Sequence, residues 1–164
     1  MIRLKTVLVA TDFSAPSDAA VAYGRELART FGAKLLVLHV AENILTRYAF
    51  EGAIMMSSDV QVDYEKSVAV RLQEILTEED RRELNAEAVL RTSNAPADAI
   101  VEFAKLENVD VIVIGTHGRK ALAHLLLGSV AERVVRFAPC PVLTVRSVER
   151  EFLHPDALAA SAHV

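Results

Sequence analysis

The chain has 164 residues, 52% hydrophobic and 24% charged, with a formal charge of −4. That length fits one domain with its own core, and the lack of any basic block argues against a nucleic-acid surface. No apolar run approaches the ~20 residues of a membrane helix, and Met1 leads directly toward a strand with no signal-peptide pattern, so neither a membrane nor a secretory role is expected.

Leu4 to Ala10 reads as a first strand, and Thr11-Asp12-Phe13-Ser14 as its exit loop. Ser14 is a candidate N-cap, with Pro16 in the first turn of a helix that carries Ala19, Ala20, Tyr23, Leu27, Ala28 and Phe31 at spacings of three and four. Gly32 suits the left-handed position after that helix. Lys34 to Val40 is a second strand of the fully buried kind. Residues 41–59 are the least patterned interior stretch and are read either as a loop or lid containing Met55 and Met56, or as a variable surface connection. A second helix is expected from Val60 to about Thr77, with Val60, Tyr64, Val68, Leu72, Ile75 and Leu76 on one face, and the charged run Glu78 to Arg82 as its solvated end. Ala86 to Arg91 is a third strand, and Asn94 is a candidate cap for a helix that begins near Pro96 and carries Ile100, Val101, Ala104 and Leu106.

The strongest pattern runs from Val109 to Val130. Val109, Val111, Ile112, Val113 and Ile114 form a β-branched strand that stops at Gly115; Gly118 follows, then nine residues, then Gly128-Ser129 at the start of another helical pattern, Ser129 to Phe137. Strand, glycine loop and helix start are the parts of an anion cradle, because glycine lets the backbone come close and the first amides of a helix attract phosphate. Pro139-Cys140-Pro141 interrupts, Val142 to Val145 is a last strand, and residues 147–164 are read as a frayed tail or a short terminal helix. Cys140 is the single cysteine and has no internal partner, which is expected of a reducing, cytoplasmic setting; no CxxC or HExxH motif suggests structural zinc.

The alternation of strands and helices predicts an α/β fold, a single doubly wound domain with a five-stranded parallel sheet and helices on both faces, and the order 3-2-1-4-5 is the one that makes its first and fourth strands neighbours. Ligands of such sheets sit beyond the strand ends where the order reverses. The first and fourth strand exits would meet there, Thr11-Asp12 facing Gly115-Thr116-His117-Gly118, with His39-Val40 bordering a flat base. Amides near Gly115, Gly118, Ser129 and Val130 suit phosphate oxygens, Arg119 or Lys120 suits phosphate charge, and Asp12 suits ribose hydroxyls or magnesium. The spacing fits neither GxxxxGK[ST] nor GxGxxG, so P-loop and dinucleotide readings are weak.

GTHG, nine residues and then GSV resembles the G-x2-G-x9-G-[ST] signature of the universal stress protein family, and TDFS, LHV and APCPVLTV resemble the same family over residues 2–146. The resemblance implies a universal-stress-type nucleotide-binding domain over 1–146 with a separate C-terminal tail at 147–164. It implies a homodimer joined through the edge strand 142–146 and, in one branch of the family, an ATP site. Carried over by position, that site takes in Ala10, Thr11, Asp12, Val40, Ile114, Gly115, His117, Gly118, Arg119, Gly128, Ser129 and Val130, with magnesium at Asp12. Ala10 stands where nucleotide-binding members often have proline.

Each of these residues also has a plainer reading. The glycines can serve turns, Asp12 and Ser14 can cap the first helix, His39 can be a hydrogen-bonded structural histidine, His117 and His124 can face solvent, and Cys140 can be buried and inert. No catalytic residue is singled out. The expected function is a stress-response sensor or regulatory module that binds ATP with magnesium and acts on an unknown protein partner. The alternatives are a slow ATPase or phosphotransferase, and a dimeric scaffold without nucleotide.

Overall fold

A computed structural model describes residues 2–46, 58–116 and 127–146. The readings at Met55, Met56, His117, Gly118, Arg119, Lys120, His124 and the tail 147–164 lie outside the described residues. Five strands, β1 (Thr6–Ala10), β2 (Lys34–Ala41), β3 (Glu87–Thr92), β4 (Val111–Gly115) and β5 (Val142–Val145), form one sheet in the order β3-β2-β1-β4-β5. Every pairing is parallel. The expected topology is the observed one.

The apolar strands are buried because both faces of the sheet are covered. In β1, Val7 and Val9 join Leu35, Val37, Val111 and Val113 on one face. Leu8 and Ala10 join Leu36, Leu38, Ile112 and Ile114 on the other. The first face packs on α1 (Ala15–Phe31) and on Leu72 of α2 (Ser58–Glu74). The second packs on α4 (Pro96–Leu106) and α5 (Ser129–Phe137). A short α3 (Glu78–Glu83) lies between α2 and β3. Ser14 caps α1 and Gly32, at φ 61°, ends it, both as expected.

Four expectations need correction. Phe31 does not sit on the buried stripe of α1; it is 41% exposed. Gly24 is buried there instead, so close to the sheet that a Cβ would lie 2.2 Å from Val9 Cγ2. The buried face of α2 starts at Gln61, with Val60 38% exposed, because hydrogen bonds satisfy the Gln61 amide. The helix stops at Glu74, and Glu78 to Arg82 is no solvated end. Thr77 caps α3, and Asp80 is only 1% exposed. Its carboxylate takes the Arg25 Nε–H at 2.8 Å and the Thr77 amide at 3.0 Å. Asn94 does not cap α4, whose N-cap is Ala95; its side chain is held by Asn43 and Thr46.

Asp80 ties α1 to the chain entering β3, since Arg25 also donates to the Ile75 carbonyl. Burial pushes its carboxyl up, but hydrogen bonds from Arg25 and Thr77 outweigh this and leave it below its ordinary value. The stability that this adds is present above the unfolded carboxyl's pKa of about 4 and is lost as pH falls through the lower folded value. Asp80→Ala should cost roughly 2–3 kcal/mol in urea unfolding at pH 7, less than a fully enclosed pair because Arg25 reaches solvent. Asp80→Asn should flatten the acid limb of the stability profile. Gly24→Ala should lose about 1–2 kcal/mol although alanine favours helix, because overpacking against Val9 outweighs ~1 kcal/mol of propensity. Adding Val9→Ala should make the pair less costly than the sum, read from the same unfolding curves.

Candidate functional site

Strand order reverses between β1 and β4, and the neighbouring crossovers leave the sheet on opposite faces. A cleft of about 400 Å³ opens beyond the carboxyl ends of the strands at that point. Ala10, Thr11 and Asp12 enter it from β1, Val40 and Glu42 from β2, and Ile114, Gly115 and Thr116 from β4. Gly128, Ser129, Val130 and Ala131 line it from the start of α5, Pro96 and Ile100 from α4, and Tyr64 from α2. Nine of the twelve residues expected at a site therefore line one cleft: Ala10, Thr11, Asp12, Val40, Ile114, Gly115, Gly128, Ser129 and Val130. The other three, His117, Gly118 and Arg119, lie outside the described residues.

The β1 exit is held by a compact set of hydrogen bonds. Thr11 is buried, its amide bonds to the Leu38 carbonyl at 2.9 Å, and its hydroxyl accepts from the Phe13 amide at 3.1 Å. Asp12 Oδ1 accepts the Ser14 amide at 3.1 Å and also the Ser14 hydroxyl. Ser17 Oγ takes the Ser14 amide at 3.0 Å and pairs with Thr11 Oγ1 at 3.1 Å. Asp12 thus supports the helix cap, and its carboxylate also borders the cleft. Phe13 adopts φ 62°, a left-handed conformation disfavoured for a bulky residue. Its ring contacts His39, centroids 4.5 Å apart, and the Arg71 guanidinium, 4.3 Å away. His39 is buried, with Nδ1 2.7 Å from the Thr11 carbonyl, the structural histidine that the sequence suggested.

On the other side, the Gly128 amide bonds to the Thr116 carbonyl at 2.6 Å, and the Thr116 amide to Val145 at 2.8 Å. The end of β4 and the start of α5 are thus fixed together at the rim. The first intrahelical bond of α5 runs from the Glu132 amide to the Gly128 carbonyl. The amides of Ser129, Val130 and Ala131 precede it and have no acceptor within the helix. They are donors at the positive end of a helix dipole, bordering the cleft.

Gly115 has a different reason to be glycine. A Cβ there would lie 2.9 Å from the Pro16 carbonyl carbon and 3.0 Å from Pro16 Cβ. Close packing of α1 on the end of β4 demands glycine whether or not a ligand is present. Sequence reasoning missed Tyr64, Glu42, Pro96 and Ile100 as cleft residues. Apolar spacing marks Ile100 only as core, and Tyr64 reaches the cleft from a helix far away in sequence, so no local pattern reveals either.

Among the described lining residues the charged side chains are Asp12 and Glu42, both acidic. No group of three or more metal-ligating side chains occurs among the described residues. A magnesium ion would therefore need ligand oxygens in addition to Asp12, which suits an ion that arrives with phosphates. Burial, with the nearby Asp110 charge, raises the Cys140 thiol pKa, against a reactive thiolate. Among the described residues, no helix is long and apolar enough to cross a membrane.

The model of the universal stress protein family matches residues 3–146. A universal stress protein of Thermus aquaticus is 36% identical over 143 residues, covering 87% of this chain and 98% of that one. A solved structure of a universal stress protein of Methanocaldococcus jannaschii has the same fold, with a TM-score of 0.73 at 23% identity over 91% of this chain and 100% of that one. Another solved structure, a universal stress protein in complex with cAMP, aligns with a TM-score of 0.61 at 26% identity over 90% and 100% of the two chains. The chain belongs to the universal stress protein family.

Proposed function

We propose that the cleft binds an adenine nucleotide, ATP with magnesium, and that the protein acts as a cytoplasmic stress-response sensor or regulatory module. The observation that carries this reading is the pairing of two unlike surfaces in one cleft. The first-turn amides of Ser129, Val130 and Ala131 and an apolar set formed by Val40, Ile100 and Pro96 line the same cleft. The cAMP complex of a related universal stress protein supports the nucleotide class. In this reading the α5 amides and the Ser129 hydroxyl hold phosphate oxygens. Ala10, Val40 and Ile114 border the base, and Asp12 accepts from ribose hydroxyls or ligates magnesium. Gly118, His117 and Arg119 complete the phosphate side, as the family resemblance implies.

Charge decides the need for a cation. The two carboxylates of the described lining oppose a triphosphate, so magnesium, with Arg119 or Lys120, offsets phosphate charge in this proposal. A self-pairing dimer through β5 belongs to the same reading. Leu143 is 38% exposed on a strand at the sheet edge, where a second copy would pair with it.

Calorimetric titration of the full chain tests the proposal. Magnesium-ATP should bind, and Ser129→Ala should weaken it about tenfold, the loss of one hydrogen bond to a charged group. Chelating magnesium with EDTA should weaken ATP far more than cAMP, which carries a single negative charge. If neither nucleotide binds or raises the melting temperature at millimolar concentration, the reading is wrong. Gly115→Ala is unsuitable as a binding control, since it should lower stability through Pro16 even without nucleotide.

A further inference from the structure

Gln61 is a polar side chain on the buried face of α2, 8% exposed, and its amide is used at both ends. Its Oε1 accepts the Ile44 amide at 2.9 Å. Its Nε2 donates to the Glu42 carbonyl at 3.3 Å and to Glu65 Oε1 at 2.8 Å. Glu65 Oε1 also accepts the Thr92 hydroxyl at 2.7 Å. A second link lies alongside: Asn94 accepts the Asn43 amide at 2.8 Å and donates to Thr46 Oγ1 at 2.7 Å. The exits of β2 and β3 and the first turns of α2 are thereby fixed to one another through side chains. Two residues carried by this network, Glu42 and Tyr64, line the cleft.

The opposite side of the cleft hangs on a separate set of bonds, Thr116 with Val145 and Gly128 with Thr116. The two sets share no residue. We propose that Gln61 is a positioning residue that sets nucleobase selectivity, by fixing Glu42 and Tyr64 as the wall beside the base while leaving the phosphate side untouched. The inference rests on the nucleotide reading and assigns the base side of that site to a network far from the glycine loop. A carboxylate accepts and cannot donate, so a wall holding Glu42 discriminates bases by the N–H donors on their edges, the single amino group of adenine against the ring N–H and amino group of guanine. Hydrogen bonds from Gln61 and Thr92 hold the Glu65 carboxyl below its ordinary value, so it is ionised at neutral pH and Gln61 has a charged acceptor.

Calorimetric titration of the full chain with the magnesium complexes of ATP, GTP and inorganic tripolyphosphate tests this. Gln61→Glu places a second carboxylate against Glu65 and removes both donations. It should shift the ATP:GTP preference about tenfold and leave tripolyphosphate affinity unchanged. Adding Glu65→Gln restores a donor–acceptor pair between the two positions and should recover most of the preference. An unchanged ATP:GTP ratio in Gln61→Glu overturns the inference while leaving the nucleotide reading intact. An equal loss of all three ligands also overturns it, because that marks a residue that supports the fold as a whole. Wild-type protein that binds none of the three overturns both.

Discussion

A parallel sheet cannot reverse its strand order without opening a gap, and this one reverses between β1 and β4. Right-handed crossovers place successive helices on one face for the strands to one side and on the other face for the rest. At the reversal the two crossovers diverge to opposite faces, so Thr11-Asp12 and Gly115-Thr116 face a common space. Everything chemical in the molecule is arranged about that gap. The two apolar clusters, one on each face, make it rigid: Val7 and Val9 are locked into one and Leu8 and Ala10 into the other. A shift of β1 along its neighbours by one residue would turn every one of these side chains to the wrong face.

Tight packing at the gap uses glycine twice, for steric reasons. Gly24 lets α1 settle on Val9, and Gly115 lets the start of the same helix settle on the end of β4. With α1 pressed down at both places, Ser14 and Ser17 come within hydrogen-bonding reach of Thr11 and Asp12. The orientation of Asp12 at the cleft is thus partly set by a contact between Gly24 and Val9, two turns of helix away. Phe13, with its left-handed backbone, sets its ring against both His39 and Arg71.

The features legible in the sequence were those with a local signature. Continuous apolar runs marked β1, β2 and β4, alternation with helices indicated a parallel sheet, and the two distinctive strand exits suggested the order that makes β1 and β4 neighbours. The spacing of Gly115, Gly118, Gly128 and Ser129 pointed to the strand exits that meet at the cleft. Features decided by a distant partner were not legible. Asp80 looked like one charge in a solvated run because its partner, Arg25, lies 55 residues away. Asn94 had the composition of a cap but was taken by Asn43, 51 residues away. Gln61 drew no reading from the sequence, and its hydrogen bonds to Ile44 and Glu42, 17 and 19 residues away, with one to Glu65 on its own helix, make its burial tolerable. Apolar patterning reports burial of apolar groups; it is silent about polar groups buried in pairs.

The cleft also has an electrical direction. Three first-turn amides with no acceptor in their own helix border the cleft, as do Asp12 and Glu42 at the exits of β1 and β2. Helix-end stabilisation of an anion is worth about 0.3–1 kcal/mol at an exposed site. An anion brought within about 4 Å of a carboxylate is opposed by roughly 4 kcal/mol at an effective dielectric constant of 20. Repulsion from the carboxylates therefore outweighs attraction by the helix in orienting a ligand. A molecule anionic at one end and carrying hydrogen-bond donors at the other is seated one way round, its anionic end against α5 and its donors toward Asp12 and Glu42. Reversed, the same molecule would lose the helix amides and meet both carboxylates.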